Sequence, residues 1–209
     1  MCSSDLLLRY TELPQLVHIL THRELTLLDP ISWDDKNDSR FIALYREKCG
    51  LKSVLALCFA RSEETYHHWR VFAPGSSGVK IQFDEEKLKE SFQSITDLKY
   101  RDVEYMTIKD LRSQTIAKER LPFLKRYPFH PENETRLLWE SKTEEKSSLA
   151  VSIDLSAITR VTLSPWLHPS LTEGVKSLLK RIDGCSKLSI WQSTLIGNTD
   201  WVKYGESAI

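Results

Sequence analysis

The stretch Lys125-Arg126-Tyr127-Pro128-Phe129-His130-Pro131-Glu132-Asn133-Glu134-Thr135-Arg136 carries two basic residues, aromatics, and then Glu132, Glu134 and Arg136 at spacing two. These charges stand at the mouth of a predicted strand, Glu134 to Glu140, whose alternation points all three to one face. Charges of both signs on one face are costly to bury unless they are paired or used. The face is therefore either a satisfied ion network or a polar site.

Other residues offer chemistry elsewhere. Arg9 lies beside Tyr10 in the apolar run Leu6-Leu7-Leu8; an arginine there either stretches to solvent or holds an anion in its planar fork. Trp33 with Asp34, Asp35 and Asp38 has the residue types to clamp a base and bind sugar hydroxyls, although Asp and Asn also gather in turns because they bond their own backbone. His67 and His68 are adjacent on a predicted helix and point about 100° apart, which suits no shared metal. By residue type alone Trp69 reads as core, Arg70 as exposed and Cys58 as a buried, inert thiol. No G-x-S-x-G, P-loop or G-x-G-x-x-G occurs, which removes the commonest hydrolase, ATPase and dinucleotide-fold routes.

The elements that must position these residues follow from periodicity and punctuation. Strands are predicted at Leu6 to Thr11, Glu24 to Leu28, Ser53 to Ala60, Val79 to Phe83, Leu98 to Met106, Glu134 to Glu140, Leu149 to Ile153, Ile158 to Ser164 and Leu188 to Gln192. Helices are predicted at Glu12 to His22, Phe41 to Lys48, Glu63 to Phe72, Glu85 to Gln93 with Asp84 as N-cap, Thr107 to Leu124, and Ser170 to Ile182. Glu144 to Ser148 reads as a hairpin-like turn, and the tail beyond Asn198 has no strong pattern. The irregular interleaving predicts one α+β domain over residues 1–209, with mixed or antiparallel sheets and flanking helices.

With 209 residues, 41% of them hydrophobic, the chain has material for one core. Lys plus Arg and Asp plus Glu balance at 29 each, so no global field recruits nucleic acid or an anionic membrane. Four scattered cysteines without a C-x-x-C pair point to a reducing cytoplasm, with neither a disulfide frame nor a zinc site. The N-terminal apolar run is too short for a signal peptide or a membrane span.

Several motifs, in order, resemble a bacterial and phage family, the domain of unknown function two-nine-seven-one. Its opening R-Y strand is matched by Arg9-Tyr10, and its P-x-x-W-x-D and N-D elements by Pro30-Ile31-Ser32-Trp33-Asp34-Asp35 and Asn37-Asp38. Its C-[FW]-[ST], W-R-x-[YF] and G-V-x-I elements are matched by Cys58-Phe59-Ala60, Trp69-Arg70-Val71-Phe72 and Gly78-Val79-Lys80-Ile81. The family's K-R-x-x-F-x-x-E-x-E-x-R segment is reproduced by Lys125, Arg126, Phe129, Glu132, Glu134 and Arg136, and its closing elements by Ser164-Pro165 and Ser193-Thr194-Leu195. Ala60 replaces the usual small hydroxyl residue, and Ser39 stands where proline is common.

The layout is also similar, at the level of fold, to ADP-ribosyltransferases and other enzymes that break the nicotinamide glycosidic bond of NAD. That resemblance implies a split α+β sandwich, NAD as the bound nucleotide, no metal, and a macromolecule as one acceptor of ADP-ribose, in a toxin, phage-defence or counter-defence setting. It implies that Glu134 or Glu132 stabilises an oxocarbenium-like ribose, that Arg9 or Arg136 holds the pyrophosphate, and that Trp33 or Trp69 stacks on a ring. Tyr10, Asp35, Arg70, Lys125, Arg126 and Phe129 complete the implied nucleotide-binding set. Two alternatives stay open: a non-catalytic nucleotide or nucleic-acid binding module, and a structural protein whose charges form a buried network.

Overall fold

The computed structural model describes residues 6–208. β1 (Leu6–Glu12) runs into α1 (Leu13–His22), which opens with Pro14 in its first turn, where no intrahelical donor is needed. Arg23 closes α1 in the left-handed conformation and returns its N–H to Ile19, and β2 (Glu24–Leu28) follows. α2 (Lys36–Cys49) begins at Asp35, whose carboxylate accepts the Asn37 and Asp38 N–H groups, and ends at Gly50. The helix starts five residues before the expected Phe41, because the polar turn is itself its cap and first turn. β3 (Ser53–Ala60) is apolar throughout and buried, as its composition predicts.

α3 (Tyr66–Phe72) is capped by Thr65, and β4 (Gly78–Asp84) begins against its end. A Cβ at Gly78 would stand 2.2 Å from the Ala73 carbonyl oxygen, so only glycine fits that crossing. Asp84 caps α4 (Glu85–Phe92) through the Lys87 N–H, as expected. The single strand expected from Leu98 to Met106 is interrupted. β5 (Leu98–Asp102) and β6 (Glu104–Met106) are separated at Val103, whose N–H turns aside to the Glu134 carbonyl at 2.9 Å.

The long helix expected over Thr107 to Leu124 is also absent. α5 (Ile108–Arg112) stops after five residues, and Lys118–Phe123 forms a 3-10 turn containing Pro122, which lacks the N–H that an α-helix needs. Unwinding frees the Pro122 carbonyl, which receives Arg136 Nη1 at 2.6 Å. β7 (Leu124–Arg126) pairs parallel with β6, and a second 3-10 turn, Tyr127–Glu132, leads into β8 (Glu134–Ser141). β9 (Ser148–Ser152) does not fold back on β8 as a hairpin would; it pairs with β2, and the connection is pinned by Ser53, which binds the Glu144 carbonyl and the Lys146 N–H. β10 (Ile158–Leu163), α6 (Pro169–Lys180) and β11 (Ile190–Gln192) complete the sheet. The tail forms α7 (Thr199–Glu206), capped by Asn198.

The main sheet has nine strands among the described residues, in the path β11-β10-β4-β1-β3-β2-β9, with β8 on the far edge of β3 and β5 beyond it. Only β10 and β11 pair in parallel within it, so the sheet is mixed and the α+β reading holds. One face is packed by Leu16, Ile19 and Leu20 of α1, Leu88 of α4 and Leu179 of α6 over Leu7, Leu55, Phe59 and Ile81. On the other, α2 sets Ile42 and Tyr45 on Val54, Ala56 and Leu138, while Trp69 of α3 packs on Leu8, Tyr10 and Ala60. Among the described residues, no helix is long and apolar enough to cross a membrane.

A second ion cluster braces the rim. Arg61 grips both oxygens of Glu85 at 2.7 and 2.6 Å and also reaches Asp102 and Thr135. The Arg61 guanidinium pulls Glu85 down from its ordinary 4.5 to about 2. A lowering of that size corresponds to about 3 kcal/mol at most. Because the folded value is depressed, this stability is present above the unfolded carboxylate range and is lost as pH falls toward 2. The stability gap between the parent chain and Glu85→Gln, measured by urea unfolding, is expected to shrink steadily as pH falls from 4.5 toward 2.

Candidate functional site

The sheet forks at β3. One edge of β3 pairs along its whole length with β8, from Ser53 opposite Ser141 to Ala60 opposite Glu134. The other edge meets β1 at Ala60, opposite Leu8, and β2 at Ala56, opposite Leu28. Cys58 lies between these two attachments, where β1 and β2 diverge. Its carbonyl, which a continuous ladder would have satisfied, accepts Arg9 Nη1 at 3.0 Å.

Arg9 is half-buried in this fork and has no carboxylate within ion-pair distance among the described residues. Burial pulls its guanidinium down from the ordinary arginine value. A planar fork of five donors with one carbonyl partner has donors to spare for an anion. The neighbouring Tyr10 is 8% exposed, and its buried hydroxyl has no hydrogen-bond partner. The Tyr10 ring stacks on His68 at 5.2 Å and meets Trp69 edge-on at 5.4 Å. His68 is held by Thr65 and Ser62, and burial keeps its imidazole below the ordinary histidine range.

The charges of the Lys125–Arg136 stretch converge on the same face of β3 and β8. Arg136, with no exposed surface, binds Asp38 bidentately at 3.0 and 2.8 Å, Glu134 Oε1 at 2.8 Å and the Pro122 carbonyl, and its guanidinium lies 4.9 Å from the Trp33 ring centre. Lys125, on β7, donates to Glu132 Oε2 at 2.6 Å and Glu134 Oε2 at 3.2 Å, stands 3.7 Å from Asp38 Oδ2, and covers the Phe129 ring. Three carboxylates thus share two cations in a site from which water is largely excluded. Burial opposes charge on Arg136 and Lys125, but Glu134 and its acidic neighbours outweigh it and hold both firmly protonated.

The two glutamates differ. Both oxygens of Glu134 are committed, one to Arg136 and one to Lys125; although burial works against its charge, these cations hold it below the ordinary carboxylate range. Its own N–H is bound to the Tyr105 hydroxyl. Glu132 commits only Oε2, and burial raises it above that range. Glu132 comes from the 3-10 turn and not from strand alternation, so the shared face arises through Lys125, which gathers both acids. Just past β3, Ser62 donates to the Glu132 carbonyl at 3.4 Å and touches His68 Nε2 at 3.1 Å. This ties the Glu132 turn to the Tyr10–His68 stack, and so the ion cluster to the fork.

The remaining candidates are placed as follows. Asp35 serves as the α2 cap, with its second oxygen buried and unpartnered. Arg126 is exposed beside a cavity of about 30 Å3 that Asp38 and Lys125 also line. Trp69 is fully buried and donates to Glu64, which leaves no ring face for a ligand. Arg70 is exposed and lies over Tyr66 and Trp166, away from the ion cluster's pairings. Trp33 is occupied by Arg136 on the face it turns to the site. Trp69 therefore offers no free stacking surface, and Trp33 has one ring face taken by Arg136. Residues the sequence did not single out include Ser62, the Tyr105 hydroxyl and the Cys58 carbonyl; Asp38 stands out in the sequence only as part of the polar turn with Trp33, not as the partner of Arg136. No group of three or more metal-ligating side chains forms among the described residues.

No protein-family model matches the chain, and no curated protein matches it by sequence. The resemblance to family two-nine-seven-one is therefore not confirmed and has only the quoted motifs behind it. Among solved structures, the chain is similar to Thermus sp. 2.9 DarT. The complex with NAD+ has 8% identity and a TM-score of 0.46 over 91% of this chain and 96% of that one. The complex with carba-NAD+ gives the same figures. The complex with ADP-ribosylated ssDNA has 11% identity and a TM-score of 0.47 over 91% and 94%.

Proposed function

We propose that the chain binds NAD in the fork of β3 and breaks its nicotinamide–ribose bond, passing ADP-ribose to water or to a macromolecular acceptor. The observation that carries this reading is Arg9: a half-buried guanidinium with one carbonyl partner and, among the described residues, no carboxylate in ion-pair distance. A pyrophosphate supplies the charge and the acceptors that this guanidinium lacks. In this reading the C1′–N bond breaks with its electron pair leaving on nicotinamide, and the ribose becomes an oxocarbenium ion. Glu132 Oε1 faces that charge, accepts the ribose 2′-hydroxyl, and takes the proton of the attacking water or acceptor hydroxyl. Glu134, held by Lys125 and Arg136, fixes the strand and the ammonium that position Glu132. Membership of family two-nine-seven-one, a bacterial or phage source and a cytoplasmic role in toxicity or defence belong to the same proposal and rest on the motifs.

Arg9→Ala tests the receptor. Losing a charge-assisted phosphate contact of about 1.5–3 kcal/mol is expected to weaken NAD binding by roughly ten- to a hundredfold, read by calorimetry, with little change in melting temperature.

A second reading has its own observation. Arg136, Asp38 and Glu134 are mutually satisfied and join β8 to α2 and to the 3-10 turn at Pro122, as a purely structural network would. In that case Arg9→Ala leaves no binding to lose, and every change in the cluster acts on stability alone.

A further inference from the structure

A second concavity lies away from the fork and shares no residue with it. It has a volume of about 570 Å3, within the roughly 300–1,000 Å3 typical of small-molecule sites. Its apolar lining is Leu155 and Leu188, both half-buried, over the buried core residues Leu20, Ile153 and Ile158. Its rim is polar and carries Arg23 and Lys187 with the hydroxyls of Ser156, Thr159 and Ser189. Asp154 is the one acid lining it among the described residues; its Oδ1 caps the Ser156 N–H at 2.7 Å, and its charge faces outward to Lys87 and Arg23. Arg23 leans on Asp183, an almost wholly exposed partner at 2.6 Å, while Lys187 is exposed and has no ion pair among the described residues.

The wall is shaped to stay open. Gly184 sits at φ +81°, and a Cβ there would meet Leu155 Cδ1 at 3.3 Å and Arg23 Nη2 at 3.5 Å. Any side chain at this position would be strained and would crowd the arginine against the apolar floor. Arg23 is itself at φ +56°, so its place at the end of α1, where it faces the concavity, is fixed by the cap.

We propose that this concavity binds a small amphipathic anion, with a flat or branched apolar body and a single carboxylate, sulfonate or phosphate head. The apolar body covers the part-exposed Leu155 and Leu188, and the head lies between Lys187 and Arg23, displacing the solvent-exposed Asp183 contact. An apolar floor supplies the driving force and two cations supply orientation, the usual division of labour in such sites.

The test uses anilinonaphthalene sulfonate, an aryl anion that fluoresces when desolvated, with octanoate as a competitor. The full chain is expected to give saturable one-to-one fluorescence that octanoate displaces. Lys187→Glu, an exposed charge reversal, is expected to weaken the probe at least tenfold, and Ser156→Trp, which fills the mouth from an exposed position, to abolish saturation. Arg9→Ala should leave the titration unchanged. Fluorescence indifferent to Lys187→Glu and Ser156→Trp, or no saturable fluorescence at all, overturns the proposal; circular dichroism confirms that each variant is folded, and Lys187→Glu decides alone if Ser156→Trp is not.

Discussion

Glu132→Gln is expected to slow nicotinamide release from NAD by about 100- to 1,000-fold, the usual loss when one electrostatic contact to a transition state is removed. The amide keeps the size and the Oε2 contact, so Lys125 retains an acceptor there as well as Glu134 and Asp38. Oε1, however, loses the negative charge that would face the oxocarbenium ion and the basicity that would take the acceptor's proton. The melting temperature should therefore stay within a few degrees of the parent value; at this chain length about 1 kcal/mol moves it by roughly 2–4 °C. Glu134→Gln behaves differently. Both oxygens of Glu134 are engaged by cations, so its replacement disturbs Lys125 and Arg136 together, and rate and stability fall in parallel.

The second large effect is on stability alone. Asp38→Asn leaves the fully buried Arg136 with a neutral partner where it had a bidentate carboxylate. A buried charge left wholly unpaired costs about 3–5 kcal/mol; Arg136 keeps Glu134 as its one remaining carboxylate, so the loss lies toward the lower end of that range. The expected outcome is a melting temperature lower by on the order of 10 °C, seen by calorimetry. Burial already pushes Asp38 above the ordinary carboxylate range, against the pull of Arg136, so some of the paired energy is spent on desolvation. A variant that melts within a degree of the parent would show that solvent reaches Arg136 and that the network is not closed.

The local grammar of the fold was legible because its causes are local. Asp84 announces a cap, the apolar run Val54 to Phe59 a buried strand, and Arg9-Tyr10 an unusual polar pair in a leucine-rich strand. The fork was not legible, since it depends on β1 and β2 choosing the same edge of β3 from positions about thirty residues or more away from it in sequence. For the same reason the Asp38–Arg136 pair, 98 residues apart, was hidden, although each residue had been noted separately. Thr107 to Leu124 misled because its charged and apolar spacing suits a helix; Pro122 and the demand of Arg136 for a carbonyl decide otherwise. Trp33 and Trp69 show the limit of reading residue type. Both are aromatic and near the site, yet one is covered by a guanidinium and the other is sealed in the core.

The measurement that tests the central claim is nicotinamide release, followed by chromatography after incubating the purified chain with NAD, beside Glu132→Gln, Glu134→Gln and Arg9→Ala proteins of known melting temperature. The expected result is release by the parent chain that collapses in Glu132→Gln without loss of the fold, and that in Arg9→Ala is recovered in part by raising NAD. Release undiminished in all three variants, or no release together with no calorimetric binding of NAD, would contradict it and leave the cluster as a structural charge network.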